Sequence, residues 1–154
     1  MPRRGEQGFT LIEMLAVLAI IGIVSAVAVL GFAGGDRTAG IEAEAHRLTR
    51  SIQLAAEDAL VSGRPGALIW DGTGYAYLEW DAARRAWAPQ EAELLRERHE
   101  LPADMVISAP EGTAFKRFDP DNAAPFTVQL SQGPATWTVS FDGFNAAVSA
   151  PANG

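Results

Sequence analysis

Cysteine is absent from this chain, which excludes disulfides and thiolate metal sites. Histidine occurs twice, as His46 and His99, and neither sits in a zinc-ligand or metalloprotease spacing. His46 reads as a solvated helix histidine and His99 as part of a charged surface run. No nucleophile elbow and no phosphate-binding loop occurs, and Gly72-Thr73-Gly74 reads as a hairpin turn. Glu79 and Asp81 share one face of an expected strand, which is the nearest approach to a catalytic pair. No catalytic residue, cofactor or metal is therefore expected. Asp119-Pro120-Asp121-Asn122 clusters oxygen side chains of the kind calcium uses, but without a full ligand pattern it reads as a proline-containing turn. Positive charge is scarce as well. Twelve Lys and Arg face nineteen Asp and Glu, for a net charge of -7. Only pairs such as Arg84-Arg85 and Lys116-Arg117 occur, so no nucleic-acid partner is expected, since phosphate binding needs clustered cations.

Proline is missing between Pro2 and Pro65, and from Met14 to Phe32 Ser25 is the only polar side chain. Nineteen helical residues reach about 28 Å, close to a hydrocarbon core. Gly22 and Gly31 are either close-approach points for neighbouring membrane helices or ordinary membrane-helix glycines. Three readings compete. Arg3 and Arg4 with Gly31-Phe32-Ala33 suggest a signal peptide, although the run exceeds an ordinary h-region. The same arginines suit a simple anchor with the remainder outside. The third reading is a cut between Gly8 and Phe9 that leaves Phe9 as the new terminus of a retained helix.

Glu13 bears on the choice. A carboxylate at the centre of a span costs roughly 2.5–3.5 kcal/mol, and less near an end. The positive helix N-terminus favours it in the first turn. Its position four residues after Phe9 also lets it pair with a free ammonium there, along one helix or between two. Gly8-Phe9-Thr10-Leu11-Ile12-Glu13-Met14, set before an apolar run, closely resembles the cleavage and methylation motif of type IV pilins and type II secretion pseudopilins. The resemblance implies a prepilin peptidase that cuts after Gly8 and methylates the Phe9 amine. It also implies a role for Glu13 in subunit assembly.

Downstream, Asp36 to Ser62 reads as an amphipathic helix. Ile41, Ala45, Leu48, Ile52, Ala55 and Ala59 form one stripe, widened by Leu54 and Leu60. Glu42, Glu44, Arg47, Arg50, Glu57 and Asp58 take the remaining face. Gly63 and Pro65 end the helix. A first meander is expected at 67–71, 75–80 and 85–88. Residues 91–100 read as either a short helix or a charged loop. Met105–Ile107 and Phe115–Phe118 are further candidate strands. A second meander is expected at Phe126–Ser131, Thr136–Phe141 and Phe144–Ser149, with Asp142-Gly143 as a two-residue turn. That turn pairs Phe141 with Phe144 and Val139 with Ala146. The preceding loop pairs Leu130 with Trp137 and Phe126 with Phe141. The face expected to be buried carries Phe126, Val128, Leu130, Trp137, Val139, Phe141, Phe144 and Val148.

The expected fold class is α+β, a long N-terminal helix packed on antiparallel sheet. The divisions are a leader at 1–8, a transmembrane helix at 9–35, a stem at 36–63 and a β-rich head at 64–154. This order, with Leu48, Ala55-Ala56-Glu57, Ala59 and Gly63-Arg64-Pro65-Gly66, resembles the H-type minor pseudopilins of type II secretion. FimT-type minor pilins share the plan and stand as the alternative, acting in pilus assembly or DNA uptake. In that group DNA contact depends on basic residues near the C terminus, and Ser149–Gly154 has none. The resemblance implies a single-pass protein of the bacterial inner membrane with a periplasmic head. Its implied partners are the prepilin peptidase, membrane lipid, and other major and minor pseudopilins through helix–helix and head–head contacts. It implies no enzyme activity. Mass spectrometry of the mature chain is expected to show a start at Phe9 with one added methyl. A start at Gly34 or an intact Met1 would refute the cut.

Overall fold

A computed structural model describes residues 11–150, with side chains described outside 26–38. Gly8, Phe9 and the leader fall outside the described residues, as do the side chains around Gly31 and Gly34-Gly35. The chain divides into two compact units, Met1–Arg37 and Thr38–Gly154. One helix, α1 (Leu11–Ser62), contributes to both. Among the described residues no helix is long and apolar enough to cross a membrane. The apolar stretch with described side chains stops at Ser25, short of the roughly 20 residues a span needs.

In the second unit α1 follows the expected stripe. Ile41, Ala45, Leu48, Ile52, Ala55 and Ala59 are all buried. Leu54 packs at the edge of the core. Leu60 is half exposed instead of widening the stripe, and Ala56 takes the buried position. Helical geometry explains the exchange, since Ala56 lies four residues after Ile52 and Leu60 turns past the contact. The helix stops at Ser62, where Gly63 adopts the left-handed conformation that commonly ends helices, φ +66°.

Two antiparallel sheets form the rest. The first carries β1 (Gly66–Trp70), β2 (Gly74–Asp81), β3 (Ala86–Pro89), β4 (His99–Glu100) and β6 (Phe115–Phe118), in the order β3-β2-β1-β6 with β4 also on β2. The second runs β5-β7-β8-β9, from Met105–Ser108, Phe126–Gln132, Ala135–Phe141 and Ala146–Ser149. Residues 91–100 resolve into the short helix α2 (Glu93–Arg96) followed by β4. The two short candidate strands separate: β5 joins β7, whereas β6 returns to β1. Alternation governs both. Met105 and Ile107 face inward on β5, and Phe118 faces inward on β6. Phe118 then meets Phe126 and Phe141 of the other sheet, with each ring centroid 5.6 Å away.

The β7–β8 register is as expected, pairing Phe126 with Phe141, Val128 with Val139 and Leu130 with Trp137. The last hairpin differs. Phe141 pairs with Ala146 and Val139 with Val148, so residues 142–145 form the loop. Asp142 Oδ1 accepts from the Phe144 and Asn145 amides at 2.8 and 2.7 Å, and this side-chain turn supplants the two-residue one. The shift is two residues, so Val148 keeps its face, but Phe144 is ejected into the loop and is 69% exposed.

Gly143 makes the wider loop possible. Its φ is +106°, and a Cβ there would come 2.9 Å from the Ala123 carbonyl oxygen. Gly143→Ala is expected to cost about 1–3 kcal/mol in denaturant unfolding. A change below about 0.5 kcal/mol would contradict this account of the loop.

Candidate assembly site

The first unit offers one site, the start of α1. Leu11, Ile12, Leu15, Leu18, Ile20, Ile23 and Val24 are all more than half exposed. Successive helical residues advance by about 100°, so these positions cover the whole circumference rather than one stripe. An all-round apolar helix is stable only when buried by lipid or other helices. Glu13 stands in the first turn, exposed among these side chains. There the helix dipole favours its charge. A Cβ on Gly22 would meet nothing within 4 Å, so close approach at that point is open to another helix.

The head contains a second constellation that sequence reasoning placed in solvent. Glu44 is 7% exposed. His99 Nε2 lies 2.7 Å from Glu44 Oε1, and the Tyr75 hydroxyl donates to the same oxygen at 3.5 Å. The imidazole N–H points off the line of its contact, so proximity and not an aligned hydrogen bond joins the two. The Arg47 Nε is 3.8 Å from the other Glu44 oxygen. Beside them, Ser51 Oγ and the Tyr77 hydroxyl are 2.7 Å apart. Burial pushes both tyrosine hydroxyls up, and at Tyr75 the Glu44 carboxylate acts in the same direction. His99 is thus partly covered by β2 and the stem rather than lying in a free surface run. Gly74 is the reason β4 can come so close, since a Cβ there would clash with the His99 carbonyl. One sequence signal pointed to Glu44: it follows Ile41 by three residues and precedes Leu48 by four, so it borders the buried stripe. Nothing local links it to His99.

Glu79 and Asp81 do not form a catalytic pair. Glu79 is 5% exposed and binds Arg64 Nη1 at 3.2 Å through one oxygen, leaving the other unpartnered. Asp81 pairs with Arg84 at 3.4 Å and caps the β2–β3 turn. Asp119 behaves as a turn residue, accepting from the Asp121 amide at 3.2 Å while pairing with Arg117 at 3.0 Å. Among the described residues no group of three or more His, Cys, Asp or Glu is placed to hold a metal. Asp71 is held well below the usual carboxylate range, first by the Arg98 guanidinium and then by Thr73. This pins the β1–β2 turn to β4.

The model of the "Type II transport protein GspH" family matches residues 44–143. The chain belongs to this family. The model of the prokaryotic N-terminal methylation motif matches residues 3–29, the segment that includes Gly8, Phe9 and Glu13. Type II secretion system protein H of Pseudomonas aeruginosa is 35% identical over 101 residues, covering 64% of this chain and 55% of that protein. Its namesake in Aeromonas hydrophila is 26% identical over 108 residues, covering 70% and 59%. The chain spans about half the length of the curated relatives it matches. The minor pseudopilin EpsH of Vibrio cholerae superposes with a TM-score of 0.62 at 17% identity, over 74% of this chain and 99% of that one. The two share the α+β fold of a long helix with antiparallel sheets.

Burial raises the Glu79 carboxyl above its ordinary range, opposed by Arg64 and reinforced by Glu91, Asp58 and Asp81. The folded state therefore holds this proton more tightly than the unfolded chain. The resulting stabilisation is complete below the ordinary carboxylate range and is lost as pH rises through the raised value. Glu79→Gln removes this dependence. Between pH 7 and pH 5 the parent is expected to gain stability relative to the variant, read as the difference in Tm. Parallel pH profiles would refute the assignment.

Proposed function

We propose that this chain is a minor pseudopilin of a type II secretion system. Its N-terminal helix enters a pseudopilus that supports protein export across the outer membrane. The observation that carries the reading is the helix from Leu11, apolar on every side and bearing Glu13 in its first turn, in one chain with a head of the GspH family. The match to the methylation motif over residues 3–29 supports processing between Gly8 and Phe9 by a prepilin peptidase. The roles follow from the chemistry. Gly8 presents a small residue at the cut. Phe9 supplies the new amine, which is then methylated. Glu13, four residues on, offers a carboxylate to such an amine along the helix or between neighbouring helices. In a low-dielectric setting that pairing fixes axial register, because a displaced subunit leaves a charge without a partner.

The helix anchors the protein in the inner membrane before assembly, with lipid as its first partner and other pseudopilins as the next. The arginines of the leader remain cytoplasmic and the head lies in the periplasm. The role is associative, not enzymatic.

Glu13→Val is expected to leave membrane insertion intact and to abolish or strongly reduce incorporation into the pseudopilus. Membrane fractionation and subunit crosslinking in cells carrying the system measure the two steps separately. Unchanged incorporation would overturn the register role.

A further inference from the structure

An antiparallel sheet with one face on the core ordinarily turns a polar face to water. The first sheet of this head does not. Its inward positions carry Leu68, Tyr75, Tyr77, Glu79 and Phe118, so the alternate positions point outward. Those outward positions hold Ile69, Leu78, Trp80, Trp87 and Phe115, with Arg117 the single charged side chain. Trp80 and Trp87 are directly paired across β2 and β3, their rings 5.4 Å apart and nearly perpendicular. The Trp87 ring also meets Phe115 at 5.4 Å, although β2 and β1 separate their strands. The rings therefore reach across the sheet. Ala67, on the same outer face, is left 1% exposed beneath the surface they form. Beside them opens a cleft of about 350 Å³ between Pro65, Trp80, Trp87 and Arg117.

This face also gathers positive charge in a chain of net charge -7. The Arg84-Arg85 pair sits on the turn joining the two tryptophan strands, and Arg117 faces outward on β6, whereas Lys116 points to the inner side and pairs with Glu111. Of these, Arg117 lines the cleft. Arg84 is largely exposed with Asp81 at 3.4 Å, Arg117 is half exposed with Asp119 at 3.0 Å, and among the described residues Arg85 has no acidic partner within 4 Å. Arg84 and Arg85 on the turn and Arg117 on β6, distant in sequence, thus border one aromatic outer face. Trp and Arg are the residues that most often dominate protein interfaces. The cleft wall is apolar, and its one charge is cationic.

We infer that the outer face of the β3-β2-β1-β6 sheet is a docking surface for an acidic protein segment that seats an apolar or aromatic side chain in the Trp80–Trp87 cleft and sets carboxylates against Arg117 at the cleft and Arg85 on the adjoining turn. Apolar burial supplies the affinity, and the arginine rim selects the sign of the partner. The assignment of that segment to a neighbouring pseudopilus subunit rests on the proposed function; the surface itself does not.

The test uses the full chain in detergent micelles and follows tryptophan emission. The probes are a synthetic peptide alternating Asp with Phe, its Lys-for-Asp counterpart and a single-stranded oligodeoxynucleotide. The acidic peptide is expected to bind, and to bind less as salt rises. Arg85→Glu with Arg117→Gln should weaken it about tenfold with little change in Tm, since a partly exposed ion pair such as Arg117–Asp119 contributes at most about 1 kcal/mol, and Trp87→Ala should weaken it with the rim intact. No binding, equal binding of the Lys peptide, or preference for the oligonucleotide would overturn the inference. Failure of Glu13→Val to block incorporation bears only on the pseudopilin reading, so the two failures are distinguishable.

Discussion

The head depends on the contact between the stripe of α1 and the inner faces of two sheets. Four of its buried residues are alanines, Ala45, Ala55, Ala56 and Ala59, and the same stripe carries Ile41, Leu48 and Ile52. Small side chains bring the helix close to the strands, and the branched ones fill the spaces the sheets leave. The sheets meet each other through Phe118, Phe126 and Phe141, so helix and both sheets share one continuous core. Each buried aliphatic side chain contributes roughly 1.5–3 kcal/mol. A change in the helix stripe is therefore felt in both sheets.

Polar groups at the margin of this core set orientation more than stability. Glu44 with His99 and Tyr75, Ser51 with Tyr77, and Gln90 with Asp58 at 2.9 Å each join the helix side to the first sheet or to the segment that follows it. A rotation of the helix would strand several of these groups without partners, at a cost of about 1–3 kcal/mol each. The apolar stripe alone tolerates small rotations. The polar margin does not.

Much of this was legible in the sequence, for physical reasons that differ by element. The stripe, the helix stop at Gly63 and the β7–β8 register follow from periodicity and local turn chemistry, which a single segment contains. The final hairpin misled because Asp142-Gly143 suits a two-residue turn, whereas the Asp142 carboxylate reaches two later amides and widens the loop. The placement of β5 and β6 in different sheets is a tertiary choice with no local signature. Glu44 was visible only as a position bordering the stripe, and its meeting with His99 depends on the whole of β2 lying between them. Gly8 and Phe9, proposed for processing, and Glu13, proposed for assembly, were read from a motif. The structure describes only Glu13, in the first turn of α1 among exposed apolar side chains.

The strand order has one more consequence. The chain supplies β1 to β4 to the first sheet, gives β5 to the second, returns β6 to the first and only then completes the second. Neither sheet closes until its last strand has been made, and the first waits for residues beyond a strand it cannot use. During synthesis the apolar start of α1 emerges long before any sheet can form. The interleaving places completion of both sheets late: β6 must be made before the first sheet is whole, and β7 to β9 before the second. Non-local pairing is slow because distant segments must meet first. Here both sheets carry that cost, because each is completed only by a strand distant from its first.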